Sequence, residues 1–221
     1  MACSLRSPCR GRILPGTREI VANLTRIANE ASAVAVAWHV VIALVGVAFA
    51  FGFRPSVRVA AVSLGLPLAS VSILAWVFGN PFNGAVFALI TTALTALALG
   101  GASSPVARGP DWSSMLGVLL VAFGWAYPHS LDGSPLVYLY RAPTGTVPCP
   151  TLALVCGLAL VGGGLVGGAW RLLLASTATC YALFGALRLG VAIDWILLAG
   201  ALGLLVQHVL APSRRAQLRC P

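Results

Sequence analysis

Seven apolar runs, joined by short segments rich in Gly, Pro and Arg, constrain this chain more than any other feature. They lie at about 32–52, 59–78, 84–103, 113–128, 149–163, 170–187 and 194–210. A bilayer-spanning helix needs roughly 20 apolar residues, so the first three are full-length spans and the last four are short ones. A soluble domain is about half apolar and a quarter charged. This chain of 221 residues is 59% hydrophobic and 9% charged, with a mean hydropathy of +0.94. The expected fold is therefore all-α, a multi-pass transmembrane bundle of about seven helices in the lipid bilayer, with no room for a soluble domain beside it.

Residues 1–16 carry Arg and Pro without periodicity and read as a disordered basic tail. From Thr17 to Glu30 the pattern changes. Ile20, Val21, Leu24 and Ile27 share one helical face while Arg18, Glu19, Asn23, Arg26 and Glu30 fall elsewhere. That is an interfacial amphipathic helix leading into the first span. No secretory signal is expected, because residues 1–30 hold no uninterrupted apolar core. Residues 211–221 read as a basic C-terminal tail.

The stretch from Pro150 to Gly190 must hold two spans and a turn. The glycine run Gly162 to Gly168 is read as the turn, since Trp170 and Arg171 follow it as an interface anchor pair. The alternative takes Gly163 and Gly167, or Gly164 and Gly168, as a close helix-packing motif inside a span.

A net charge of +9 in a soluble protein would suggest nucleic acid, but every one of the 14 basic residues is Arg and they fall in tails and between apolar runs. The positive-inside bias accounts for them, and no nucleic-acid partner is expected. An all-Arg basic set in an Ala, Gly, Leu and Val-rich chain also points to a high-GC bacterial genome and so to a bacterial inner membrane. With seven spans, Arg54, Arg58, Arg108, Arg171, Arg214, Arg215 and Arg219 share one side. Arg141, Arg188 and the amino-terminal arginines share the other. The expected orientation puts the N-terminus outside and the C-terminus in the cytoplasm.

The same alternation places the second, fourth and sixth connections on one face. They hold most of the non-basic polar residues: Asn80 and Asn83 in the second, the long segment Pro128 to Cys149 in the fourth, and Arg188 to Asp194 in the sixth. Asn80, Asn83, Cys149, Thr151 and Asp194 are the candidate site residues of this polar face. In Pro148-Cys149-Pro150-Thr151, Pro suits the start of a helix, where its missing N–H would be unpaired anyway. A thiol there meets a macrodipole that favours thiolate; the alternative is a small packing residue. Asp194 is expected to stay shallow, since an ionised Asp at mid-membrane costs about 2.5–3.5 kcal/mol on insertion scales. It either caps the seventh helix or pairs with Arg188 or Arg141. His39, inside the first span, is a functional candidate or a hydrogen-bond donor between helices. His208, beside Gln207, is expected at the interface.

The six cysteines form no CxxC or CxxH pair, and five acidic residues show no paired-carboxylate motif. No zinc, haem or other cofactor is expected. Cys149 and Cys156 share a helix face but lie about 10 Å apart along it, too far for a disulfide.

Asn80-Pro81, Tyr127-Pro128, Pro143-Thr144 followed by Pro148-Cys149-Pro150-Thr151, and Gly190-Val191 shortly before Asp194 give the chain a recognisable set of motifs over residues 30–210. In these it resembles an uncharacterised bacterial family of small polytopic membrane proteins, a domain of unknown function. The family tends to carry a second Thr where this chain has Leu152, and a His in the long loop where this chain has the region of Tyr138. The resemblance implies a seven-helix membrane protein and brings no known substrate or reaction.

The leading functional expectation is a protein that binds or moves a small solute at a shallow outer-face site built from Asn83, Cys149, Thr151 and Asp194. Two alternatives stay open: a membrane enzyme or thiol-redox protein using Cys149, with His129 the one loop candidate for a base, and a structural or assembly subunit of a membrane complex. Oligomeric state and protein partners are left open by the sequence.

Overall fold

The computed structural model describes residues 16–217, so all but the last residue of the expected 1–16 tail, and the last four residues of the chain, lie outside it. Every apolar run becomes a helix. The amphipathic segment is α1 (Thr17–Glu30), and the runs follow as α2 (Ser32–Ala50), α3 (Val57–Val77), α4 (Pro81–Leu99), α5 (Asp111–Trp125), α7 (Pro148–Val161), α8 (Gly168–Leu183) and α9 (Trp195–Gln217). One four-residue helix, α6 (Tyr138–Arg141), lies in the long fourth connection. The last helix continues past 210 into the expected tail. Five stretches, α2, α3, α4, α8 with its terminal turn, and the α9 stretch from Ala192, are long and apolar enough to cross a membrane. The chain is an all-α membrane protein. At 15 and 14 residues, α5 and α7 are shorter.

Local chemistry sets the boundaries. The Ser56 hydroxyl accepts from Val59 N at 3.2 Å and starts α3, while Asn80 Oδ1 accepts from Asn83 N at 3.2 Å to start α4 behind Pro81. The glycine run is a turn: α7 ends at Val161 and α8 begins at Gly168. Gly163 and Gly164 take φ of +66° and +79°, where a Cβ would be strained.

Packing is organised as three antiparallel pairs, α3 with α4, α5 with α7, and α8 with α9, and α7 also touches α3, α8 and α9. This makes α7 the central helix, with 11 of its 14 residues buried. Glycines let the α5–α7 pair close. A Cβ on Gly117 would meet Gly157 O at 2.6 Å, and one on Gly157 would meet Gly117 O at 2.6 Å. Such small-residue contacts are how helices associate where water supplies no hydrophobic drive.

Hydrogen bonds sort the connections onto two ends. At one end Val57 N donates to Ser104 O at 2.9 Å, Val106 N to Pro55 O at 2.9 Å, and Gly109 N to Val161 O at 2.8 Å. These join the first, third and fifth connections. At the other end α1 lies across the remaining three. Thr17 accepts from Arg188 Nη1 at 2.5 Å; Asn23 Nδ2 and Arg26 Nη2 donate to Phe78 O at 3.0 and 2.8 Å; Asn29 Nδ2 donates to Ser130 O at 3.0 Å. The apolar face of α1 is spent on the protein, with Leu24, Ile27, Ala28 and Ala31 packed on Leu74, Phe78, Leu131 and Val147. Its exposed positions are Arg18, Glu19, Ala22, Arg26 and Glu30. The helix is the expected amphipathic one before the first span, and it straps across the polar face.

Candidate functional site: a buried polar layer beneath the first helix

Asp194 is the centre of the layer. It closes a single 3-10 turn, Ala192–Asp194, that leads into α9, and it is 1% exposed. Tyr127, two residues past the end of α5, donates its hydroxyl to Asp194 Oδ1 at 2.8 Å. The Cys149 thiol, at the second position of α7, meets the same carboxyl. Behind it the final turn of α8 widens into a π-helical turn, Phe184–Arg188. There Gly185 offers bare backbone: a Cβ on it would stand 1.8 Å from Asp194 Oδ2. Turns of this kind recur at functional sites.

The layer continues across the bundle. Tyr181 on α8 stands within electrostatic range of Cys149 and donates its hydroxyl to Asn83 Oδ1 on α4 at 2.8 Å. Both tyrosine rings are fixed edge-on by a phenylalanine, Phe123 against Tyr127 and Phe87 against Tyr181, each with centroids 5.3 Å apart. His129 lies near Asp194, with its ring 6.2 Å from that of Tyr127.

Of the five residues expected from the sequence, Asn83, Cys149 and Asp194 come together here. Asn80 sits at the edge, capping α4 and donating Nδ2 to Asn23 Oδ1 on α1 at 3.3 Å. Thr151 faces the chain's own backbone instead. Its hydroxyl donates to Val147 O at 2.7 Å and accepts from Gly145 N at 2.8 Å. Both the capping and the ion-pair expectations for Asp194 give way to Tyr127 as its hydrogen-bond partner. Arg188 is engaged with Thr17, and among the described residues the one ion pair within 4 Å is Arg108–Asp111. Asp194 is also buried, where a shallow site was expected.

The thiol expectation changes too. Cys149 is partly exposed, but its neighbour is a carboxyl and not a cation. Reactive cysteines sit in electropositive surroundings, which this is not. His39 joins helices: its ring nitrogens meet Ala35 O at 2.8 Å and Trp125 O at 2.9 Å.

Sequence reasoning missed Tyr127 and Tyr181 as site residues. The available signal was a phenol within or ending an apolar run, because a buried Tyr hydroxyl seeks a hydrogen-bond partner. Comparison with family models, curated proteins and solved structures finds no match, so the family resemblance rests on the motifs quoted above.

Proposed function

We propose that this is a seven-span membrane protein, N-terminus outside, that binds or moves a small cationic solute at the layer formed by Asp194, Tyr127 and Cys149, with Asn83 and Tyr181 completing its wall. The burial of Asp194, with no ion-pair partner among the described residues, carries this reading. A carboxylate removed from water is costly unless a positive charge balances it, and intramembrane carboxyls mark ion, proton or substrate paths. One hydroxyl donor does not supply that charge, whereas a small cation or a proton does. In this reading Tyr127 orients the carboxyl, Gly185 leaves it room, and α1 closes the outer side.

The thiol-chemistry alternative has less support, since the group beside Cys149 is a carboxyl, whose negative charge disfavours thiolate. The test is thermal unfolding of the purified protein in detergent across a panel of alkali, ammonium and small organic cations. The expected result is a rise in midpoint with at least one cation, absent in Asp194→Asn, which stays helical. Equal responses from both proteins, or none from either, would overturn the proposal.

A further inference from the structure

The end of α5 lies well inside the length of α2. His39 Nε2 meets Trp125 O at 2.9 Å, which sets the last residue of α5 level with the eighth residue of α2. The return limb of the fourth connection comes to the same level. Gly145 is pressed against the Trp38 indole so closely that a Cβ on it would stand 2.1 Å from Cδ1. Helix α7 begins three residues later.

Its 19 residues give α2 a rise of about 28 Å, and the hydrocarbon core is about 30 Å thick. The whole helix is needed to cross, so its first residue marks the apolar boundary. From Ser32 to His39 the chain descends about 10 Å. We infer that the return limb of the α5–α7 connection is the outer, membrane-embedded part of the span that α7 completes, running inside the apolar thickness with Leu136, Leu139 and Tyr140 against lipid. The tip reaches water beside α1, where Asp132 N donates to Asn29 Oδ1 at 3.2 Å. The inference rests on the membrane placement proposed above, and it sets the Cys149–Asp194 layer below the surface.

Two independent features support it. Irregular backbone at this depth is tolerated only where protein satisfies its polar groups, and residues 142–148 are buried and internally matched. Thr144 Oγ1 donates to Gly124 O, Thr146 Oγ1 to Pro143 O at 2.9 Å, and Thr151 serves Val147 O and Gly145 N. Pro143, Pro148 and Pro150 have no N–H to satisfy. On the outer side, Leu136, Leu139 and Tyr140 are 69%, 56% and 53% exposed. They extend the lipid-facing belt of α5, whose Met115, Val118 and Leu119 are exposed on a helix of 15 residues, too short to cover the bilayer alone.

Hydroxyl-radical footprinting of the unsubstituted chain in phospholipid nanodiscs tests this. Lipid excludes water, so Tyr140 should be modified about tenfold more slowly than in the denatured chain, as should Leu89, exposed on α4. Rapid modification of Tyr140 with Leu89 protected would overturn the embedded placement of the limb and leave the membrane reading intact. Rapid modification of both would overturn the membrane reading and this inference with it.

Discussion

The Tyr127 hydroxyl donates to Asp194 Oδ1 at 2.8 Å and ties the end of α5 to the start of α9. The two residues are 67 positions apart in the chain. Removing either partner strands the other in a buried setting, at about 1–3 kcal/mol per unsatisfied group. Tyr127→Phe and Asp194→Ala should each lower stability by that order, and the double variant should lose clearly less than the sum. Chemical unfolding in detergent measures the cycle; strict additivity would mean the bond contributes nothing.

Gly185 and Asp194 are matched by shape. Gly185→Ala places a Cβ 1.8 Å from Asp194 Oδ2, and overpacking of this kind costs about 1–3 kcal/mol. With Asp194→Ala only its Cβ remains, 3.2 Å away, so Gly185→Ala should cost clearly less when added to Asp194→Ala than it does in the unsubstituted chain. A Gly185→Ala protein that melts like the unsubstituted one would contradict this arrangement.

A comparison of glycines separates packing from propensity. Gly157→Ala drives a Cβ to 2.6 Å from Gly117 O and should separate α5 from α7, whereas a Cβ on Gly46 meets nothing within 4 Å. Gly46→Ala should be neutral or stabilising by up to about 1 kcal/mol, the helix propensity difference. Thermal melts of the two variants should therefore move apart, Gly157→Ala downward.

Thr151→Val keeps the shape but removes an acceptor for Gly145 N and a donor to Val147 O. The loss should be about 2–4 kcal/mol for two buried backbone groups, and Thr151→Ser should retain most of the stability. If Val and Ser variants prove equally stable, the hydroxyl is not what holds this limb.

The strap should control access to the layer. Arg188→Ala combined with Asn23→Ala removes the Arg188 guanidinium and Asn80 fastenings of α1. The rate of Cys149 labelling by a membrane-impermeant maleimide, in a chain whose other cysteines are replaced, should rise severalfold while helix content is unchanged. An unchanged rate would show that α1 does not cover Cys149.

Part of the site was legible because strict alternation of spans assigns connections to faces whatever the packing. That logic placed Asn83, Cys149 and Asp194 on one face without any coordinates. It could not separate residues that meet from residues that merely share an end, so Thr151, which faces its own backbone, ranked beside Asp194. Tyr127 and Tyr181 stayed hidden because a phenol in an apolar run reads as one more apolar residue until its hydroxyl has an address.

The helices themselves were written in the sequence. Apolar length, Pro at helix starts and Gly at ends are local properties, and backbone hydrogen bonding in lipid leaves a helix as the natural outcome for each run. What the tertiary structure decided was which face of each helix meets protein. The runs are apolar all round, so hydropathy does not tell a lipid-facing Leu from a buried one. Only the close approach of small residues, Gly117 to Gly157 and Gly185 to Asp194, resolves it. From that packing follow the central place of α7, the burial of Asp194 and the position of α1 across the three connections at that end.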